Sequence, residues 1–391
     1  MSNAVPKRLG DLINLKRGYD LPENQRREGP YPVISSAGIT GYHDDYMVEG
    51  VGVVTGRYGT LGEMYYVDGK YWPHNTALYV TTFKGNDPKY IYYLLSCLGR
   101  IRTSDKSAVP GVNRNELHEM AIPAITDRNQ QKKIAAVLSA LDTKIDCNNR
   151  INAELEAMAK TLYDYWFVQF DFPDANGKPY KSSGGKMVYN ATLKREIPLG
   201  WHDSSVLAVA NLLGGGTPTK KKPEYWSGDI PFFTPTDADG TIFKFSTADY
   251  ITNEGLQGSS TKLFGKHTVF ITARGSVGRL VLAGVDMAMN QSCYALRAKA
   301  GISHVFLFFL AKELIHHLHV KSSGSVFDSI VSNDIELTQL AIPKSEVIEE
   351  FAAVVEPTFE KIANNTRENQ QLAQLRDWLL PLLMNGQVTV A

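Results

Sequence analysis

The sequence predicts an α+β chain built as a pseudo-twofold repeat: two mixed α/β modules, each followed by a long helix, with the two helices paired as an intramolecular coiled coil. Three observations carry this. Two stretches, Asp127 to about Phe167 and Ser345 to about Met384, place apolar residues at helical spacing. The second stretch repeats the first, since Ile145 and Ile362, Asn148 and Asn365, Asn152 and Asn369, Leu155 and Leu372, and Leu162 and Leu379 all lie 217 residues apart. The segments ahead of the helices repeat too, each closing on an AIP tripeptide, Ala121 to Pro123 and Ala341 to Pro343.

In the first helix Ile134, Leu138, Leu141, Ile145, Leu155 and Leu162 follow steps of four and three, and Asn148 and Asn152 fill the gap in the stripe. A buried amide lowers stability but resists slippage, because a slipped pairing leaves it without a partner. Its repetition in both copies predicts one shared seam; the alternative is two amphipathic helices, each packed on its own module. Asp127 with Gln130 makes a capping start for the first helix, and Ser345 followed by acidic residues does so for the second. Pro357 lies inside the second pattern and predicts a kink near Glu356.

The modules read mostly as short strands broken by Gly, Pro, Asn and Asp. VPKRLGDLINLKRG corresponds to VLAVANLLGG and PYPVISS to DIPFFTPTD. VVTGRYGTLG (Val53 to Gly62) corresponds to VFITARGSVG (Val269 to Gly278), and WPHNTALYV to AMNQSCYAL, which pairs Asn75 with Asn290. Each module has one helical piece, Pro88 to Ile101 and Ser303 to Leu318. The resulting division is a module at 1–125, a helix at 126–168, a linker at 169–190, a module at 191–343 and a helix at 344–391. The linker includes DFPDANGKPYKSSGGKM, whose Gly, Pro, Ser and Lys content predicts an exposed connection.

With 391 residues, 43% hydrophobic and 21% charged, the chain has the composition of a globular protein with room for two cores. No apolar run reaches the roughly 18 residues of a membrane span, and MSNAVPKRLGDL lacks a signal-peptide core, so the expected compartment is the cytoplasm. Cys97, Cys147 and Cys293 are scattered singly, which gives neither a disulfide framework nor zinc spacing. A formal net charge of +0 leaves any nucleic-acid binding to local patches.

Such patches are present. The turns Arg57 to Gly62 and Arg274 to Gly278 set an Arg at a glycine-rich strand junction, where it reaches phosphate or guanine edges. The alternative is a tight turn with a solvated Arg. Basic and hydroxyl residues follow the inner helix in both copies: Arg100, Arg102, Lys106 and Ser107 in one, Lys321, Ser322, Ser323 and Ser325 in the other. Lys220, Lys221 and Lys222 precede Tyr225 and Trp226, and Lys16, Arg17, Arg26 and Arg27 form a further group. The candidate DNA-contacting set is Arg57, Tyr58, Arg102, Lys106, Ser107, Lys220, Lys221, Arg274, Ser276, Lys321 and Ser323. The aromatic run TLYDYWFVQFDF either plugs the junction between helix and module or anchors a partner through Tyr165, Trp166 and Phe167. Walker, HExxH, paired CxxC and GxSxG motifs are missing, and His316, His317 and His319 point to different helix faces, so the pattern suggests a reader and not an enzyme.

QQKKIAAVLSALDTKIDCNNRINAELEAMAKTLYDYWFVQFDF and NQQLAQLRDWLLPLLMNGQV closely resemble the specificity subunit of type I restriction–modification systems, and the likeness extends over nearly the whole chain. The resemblance implies two target-recognition domains separated by an antiparallel helix pair, each domain reading half of a split DNA target. It implies double-stranded DNA, two methyltransferase subunits and restriction–translocase subunits as partners, and no membrane. No cofactor is expected in this chain; S-adenosylmethionine, ATP and Mg are expected on the partner subunits. A rival reading is a protein-interaction scaffold with no base readout, and another is a self-sufficient enzyme. A helix of about 35 residues spans roughly 50 Å, comparable with about 15 base pairs, so the pair is expected to act as a ruler.

Overall fold

The computed structural model describes residues 4–56, 63–102, 114–321 and 329–390, with the backbone alone for 99–102. By its contacts the chain divides into two units, residues 1–146 with 370–391, and residues 147–369. Each long helix is therefore shared between units instead of standing as a separate segment.

The first unit holds β1 (Ala4–Arg8), β2 (Asn14–Arg17), β3 (Tyr31–Ser35), β4 (Gly38–His43), β5 (Val48–Gly56), β6 (Met64–Pro73), β7 (Ala77–Thr82) and β8 (Ala121–Ile125). Its helices are α1 (Leu9–Leu12), α2 (Pro88–Arg102) and α3 (Arg114–Glu119), and α4 (Arg128–Tyr163) starts in it. Six strands form one sheet in the order β2-β7-β5-β6-β3-β4, while β1 pairs antiparallel with β8. Asp127 caps α4, its carboxylate accepting from Asn129 N at 2.9 Å.

The second unit holds β9 (Met187–Asn190), β10 (Arg195–Pro198), β11 (His202–Ser204), β12 (Ala210–Gly214), β13 (Trp226–Phe233), β14 (Phe243–Lys244) and β15 (Asp249–Ile251). It continues with β16 (Val269–Thr272), β17 (Leu280–Ala283), β18 (Ala288–Met289), β19 (Cys293–Ala298) and β20 (Leu340–Ile342). Its helices are α5 (Asn253–Gln257), α6 (His304–Lys321) and α7 (Ser332–Leu337), followed by α8 (Ser345–Met384). The run β12-β19-β16-β17 repeats β2-β7-β5-β6, and β15-β13-β18 repeats β4-β3-β6, so β6 alone does the work of β17 and β18. The parallel contacts β3 with β6 and β13 with β18 recur, as do the closing pairs β1 with β8 and β11 with β20.

Packing explains these elements. β16 is buried along its length, hence the unbroken Val-Phe-Ile-Thr run, and α6 is buried on most sides from Val305 to Ala311, hence its lack of a polar stripe there. The core of the second unit gathers Phe306, Phe308 and Phe309 from α6 with Phe351 and Phe359 from α8 and Tyr163 from α4. In the first unit Leu94, Leu95 and Leu98 of α2 meet Ile134 and Leu138 of α4 and Leu380 and Leu383 of α8. Among the described residues no helix is long and apolar enough to cross a membrane, and Cys97, Cys147 and Cys293 are free thiols.

The helix seam is real and its pairing is crossed. Asn148 Nδ2 donates to Asn369 Oδ1 at 2.9 Å and Glu368 Oε2 at 2.8 Å, whereas Asn365 Nδ2 donates to Asn152 Oδ1 at 2.9 Å. As the position on α4 advances from 148 to 152, its partner on α8 retreats from 369 to 365, so the helices run antiparallel. Residues related by the 217-residue offset are therefore equivalent without touching: Asn148 corresponds to Asn365 but bonds Asn369. In the first unit Arg376 Nη1 bonds Asp142 Oδ1 at 2.8 Å in the same sense. None of Ile145, Asn148, Asn152, Leu155, Leu162, Ile362, Asn365, Asn369, Leu372 and Leu379 is exposed.

Two expectations need correction. The segment after Val168 is an exposed connection only in part: residues 175–178 and 181–184 are exposed, but Phe170, Asp171 and Phe172 are buried, Phe172 stacks on Tyr180 and Trp201, and Ser182 N and Oγ both donate to Asp171. Trp166 and Phe167 are buried against Phe351, and Phe167 also against Phe306 and Trp201. These two rings plug the chain's own core and leave no face for a partner; Tyr165 is half-buried beside them. Pro357 lies inside α8, which continues unbroken from Ser345 to Met384, and it sits on the exposed side together with Ala353, whose carbonyl its ring leaves without a helical donor.

His304, the first residue of α6, stacks on His267 with ring centroids 3.9 Å apart, and its Nδ1 lies 3.7 Å from Glu356. Burial, aided by His267 and Lys266, pushes the His304 imidazole down to about 4. A folded-state value below the ordinary 6.5 means the unfolded chain takes up the proton first as pH falls. The stability contribution is thus complete above about pH 6.5 and is lost progressively towards pH 4. Urea midpoints should fall between pH 7 and 5, and His304→Phe should flatten that slope; an equal slope in both proteins contradicts the assignment.

Candidate nucleic-acid interface

Strand directions in the second unit gather four loops at one end of its sheets. β12 and β16 both run antiparallel to β19, so their C-terminal ends meet the start of β19, and β17 begins there. β13 ends beside β18, which brings residues 234–239 to the loop Asn290–Ser292. Backbone bonds fasten the loops together: Asn290 N donates to Phe233 O at 3.0 Å, and Ala273 N to Ser292 O at 2.8 Å. Thr217 Oγ1 bonds Gln291 Oε1.

The Arg274 turn is built from the inside. Thr272 is fully buried, with its hydroxyl donating to Ser276 O and accepting from Arg279 N at 2.9 Å, while Gly278 N returns to Thr272 O at 2.8 Å. Gly278 has φ of +80°, and a Cβ there would stand 3.0 Å from Ile315 and 3.1 Å from His319 of α6, so only glycine fits. Arg279 donates to Ala238 O and closes the turn onto the neighbouring loop. Arg274 is exposed and bonds no other described residue through its guanidinium, while its backbone bridges to Ser329. Ser276 is half-buried on the same turn. Lys321 is exposed at the end of α6, the helix against which Gly278 packs.

Lys220 and Lys221 form a separate patch beside the smaller sheet. Both are exposed; Lys220 lies 5.6 Å over the Trp226 ring, and Lys222 donates to Tyr225 at 2.9 Å. The indole face attracts the Lys220 ammonium and holds it beside the ring at the surface. Close backbone packing explains the adjoining glycine run, since a Cβ on Gly215 would stand 2.1 Å from Asn290 O. Gly18 meets His74 O in the same way in the first unit.

Arg57, Tyr58, Lys106, Ser107 and Ser323 lie outside the described residues, and Arg102 is described by its backbone alone. The flanks of the first turn are visible, with Thr55 Oγ1 donating to Glu63 O at 3.2 Å. The other basic group of that unit is largely engaged: Arg17 pairs with Asp20 and Arg27 with Asp44, while Arg26 bonds Thr40 O. Thr217 and Gln291 were not among the sequence candidates, although the Asn75 and Asn290 correspondence pointed to their neighbourhood. Two buried groups shape the floor. Burial, with Asp237 adding to it, pushes the Cys293 thiol up to about 12, which makes it an inert core residue. Asp237 itself accepts from Thr234 N and Ala248 N and pins the loop after β13.

A family model for the type I restriction modification DNA specificity domain matches residues 1–157 and 198–374. The chain belongs to this DNA specificity family. The two matched stretches coincide with the two copies of the repeat. Among relatives, the MjaIX specificity subunit of Methanocaldococcus jannaschii is 27% identical over 312 residues, covering 77% of this chain and 69% of that one. The HindI specificity subunit of Haemophilus influenzae is 23% identical over 358 residues, covering 77% of each. The crystal structure of a type I restriction–modification S subunit from M. genitalium shares the fold, with TM-score 0.59, 16% identity and coverage of 98% of this chain and 96% of that one. Family membership makes DNA target specificity the role of this chain and restriction–modification its setting.

For this DNA specificity protein, Arg274→Ala should weaken binding in a gel-shift titration. If the side chain meets phosphate, the salt dependence should drop by about one unit of slope. Unchanged affinity at fixed salt would return Arg274 to the role of a solvated turn residue.

Proposed function

We propose that this chain is the non-catalytic reader of a bipartite DNA target, each module recognising one part, with the paired helices setting the distance between the parts. The observation that carries the reading is the repetition of a whole module, with its loop-bearing sheet end and its long helix, inside one chain of a DNA specificity family. Direct contacts would come from Arg274, Ser276 and Lys321 at the gathered loops, and from Lys220 and Lys221 beside Trp226. Arg57, Tyr58, Arg102, Lys106, Ser107 and Ser323 would serve the first module. The chain would direct two methyltransferase subunits, carrying S-adenosylmethionine, and restriction–translocase subunits, using ATP and Mg, to the site. Its own side chains would supply recognition and spacing only.

Adenine-methylation profiling of the host with and without the gene tests this reading. Loss of one bipartite motif is expected, and a variant with two helical turns inserted at matched places in α4 and α8 should lengthen the spacer while keeping both half-sites. An unchanged methylome would favour a scaffold without base readout, and altered half-sites would refute the ruler.

A further inference from the structure

Among the described residues, the first unit leaves open a strand edge that the second unit fills with its own chain. β6 pairs with β5 from Met64 to Tyr71 and with β3 only at Trp72 and Pro73. Between Met64 and Gly69 its other edge meets no strand among the described residues. In the second unit the matching edge of β17 carries β14 in parallel, with Leu282 N donating to Ile242 O and Gly284 N to Lys244 O, both at 2.7 Å. Strand pairing sets Leu282 opposite Val269 and Tyr66 opposite Val53, which makes Tyr66 and Asp68 the equivalents of Leu282 and Gly284.

What stands behind the two edges differs. Phe243 of β14 packs on Phe359 of α8, ring centroids 6.2 Å apart. The 217-residue offset puts Asp142 of α4 in the place of Phe359 and Asp146 in the place of Ala363. Where Phe243 would sit, the first unit has a cleft of about 450 Å³, lined by Tyr66, Tyr92, Tyr93, Asp142 and Asp146 among others. Tyr66 and Tyr92 meet edge to face at 6.1 Å, and Tyr92 and Tyr93 at 4.9 Å. Asp142 is engaged by Tyr93 and Arg376, but Asp146 is exposed and bonds no other described residue. The tyrosine wall already accepts a cation, since Lys89 Nζ lies 5.8 Å from the Tyr66 ring.

We propose that the β6 edge is a docking site for an extended segment of a separate protein chain, which adds as a parallel strand and turns one arginine into the tyrosine-lined cleft towards Asp146. Main-chain bonds to the Tyr66 and Asp68 amides supply the strand register, and charge complementarity selects arginine where the second unit holds phenylalanine. Nothing in this depends on DNA recognition.

The probe is a labelled peptide of residues 240–248 of this chain, GTIFKFSTA, carrying Phe243→Arg, titrated into the full chain by fluorescence anisotropy. Saturable binding is expected, with a Phe243→Glu peptide weaker by about tenfold or more. In the Asp146→Lys chain, whose altered residue is exposed and supports no fold contact, the preference should reverse towards the Glu peptide. Absence of saturable binding, or a preference unmoved by Asp146→Lys, overturns the proposal. Dimers in sedimentation velocity that the peptide dissociates would make a second copy of the chain the occupant and would also overturn it.

Discussion

Two crossed amide contacts in the middle of the helix pair fix much of what the chain can be. Asn148 and Asn365 are almost fully buried, and each donates its amide N–H to an asparagine on the opposite helix. Leaving one buried amide unpaired costs about 1–3 kcal/mol, and sliding α8 along α4 by a turn would strand several at once. The seam is thus weaker than a purely apolar one yet much more particular about register. Only an antiparallel pair lets the two copies share this arrangement, because the operation that exchanges the helices carries the contact of Asn148 with Asn369 onto that of Asn365 with Asn152.

The same symmetry makes the differences between copies informative. In the second unit aromatic packing joins module to helices, with Phe309 in contact with Tyr163, Phe351 and Phe359, and Tyr163 also with Phe351. In the first unit Asp142 takes a hydrogen bond from Tyr93 at 2.6 Å and an ion pair from Arg376 at 2.8 Å. Beside this polar fastening lies the cleft lined by Tyr66, Tyr92 and Tyr93.

Much of the fold was legible because it is written twice. The helix spans, the closing AIP strands and the order of segments follow from period and offset, which do not depend on tertiary detail. The crossed pairing was less accessible, since a constant offset identifies equivalent residues and says nothing of which ones touch. Trp166 and Phe167 were ambiguous for a related reason: an aromatic run suits an interface or a core, and only the positions of Phe306, Phe351 and Trp201 decide between them. The linker misled because its composition is that of an exposed loop, whereas Phe170, Phe172 and Tyr180 hold it down. At the candidate site Arg274 stood out by its glycine-rich turn, while Gln291 carried no motif and became visible only when β18 and β19 brought its loop beside Thr217.

Antiparallel register is the claim on which the helix pair depends, and thiol cross-linking tests it directly. The crossed contacts place Ile145 opposite Leu372 and Leu155 opposite Ile362, whereas offset-related residues such as Ile145 and Ile362 fall ten residues, about 15 Å, apart along the axis. In a Cys147→Ser background, cysteines at 145 and 372, or at 155 and 362, should couple rapidly through a short bifunctional thiol reagent. Cysteines at 145 and 362, or at 155 and 372, should stay free within the same chain; efficient coupling of those pairs, with none in the first two, would contradict the account.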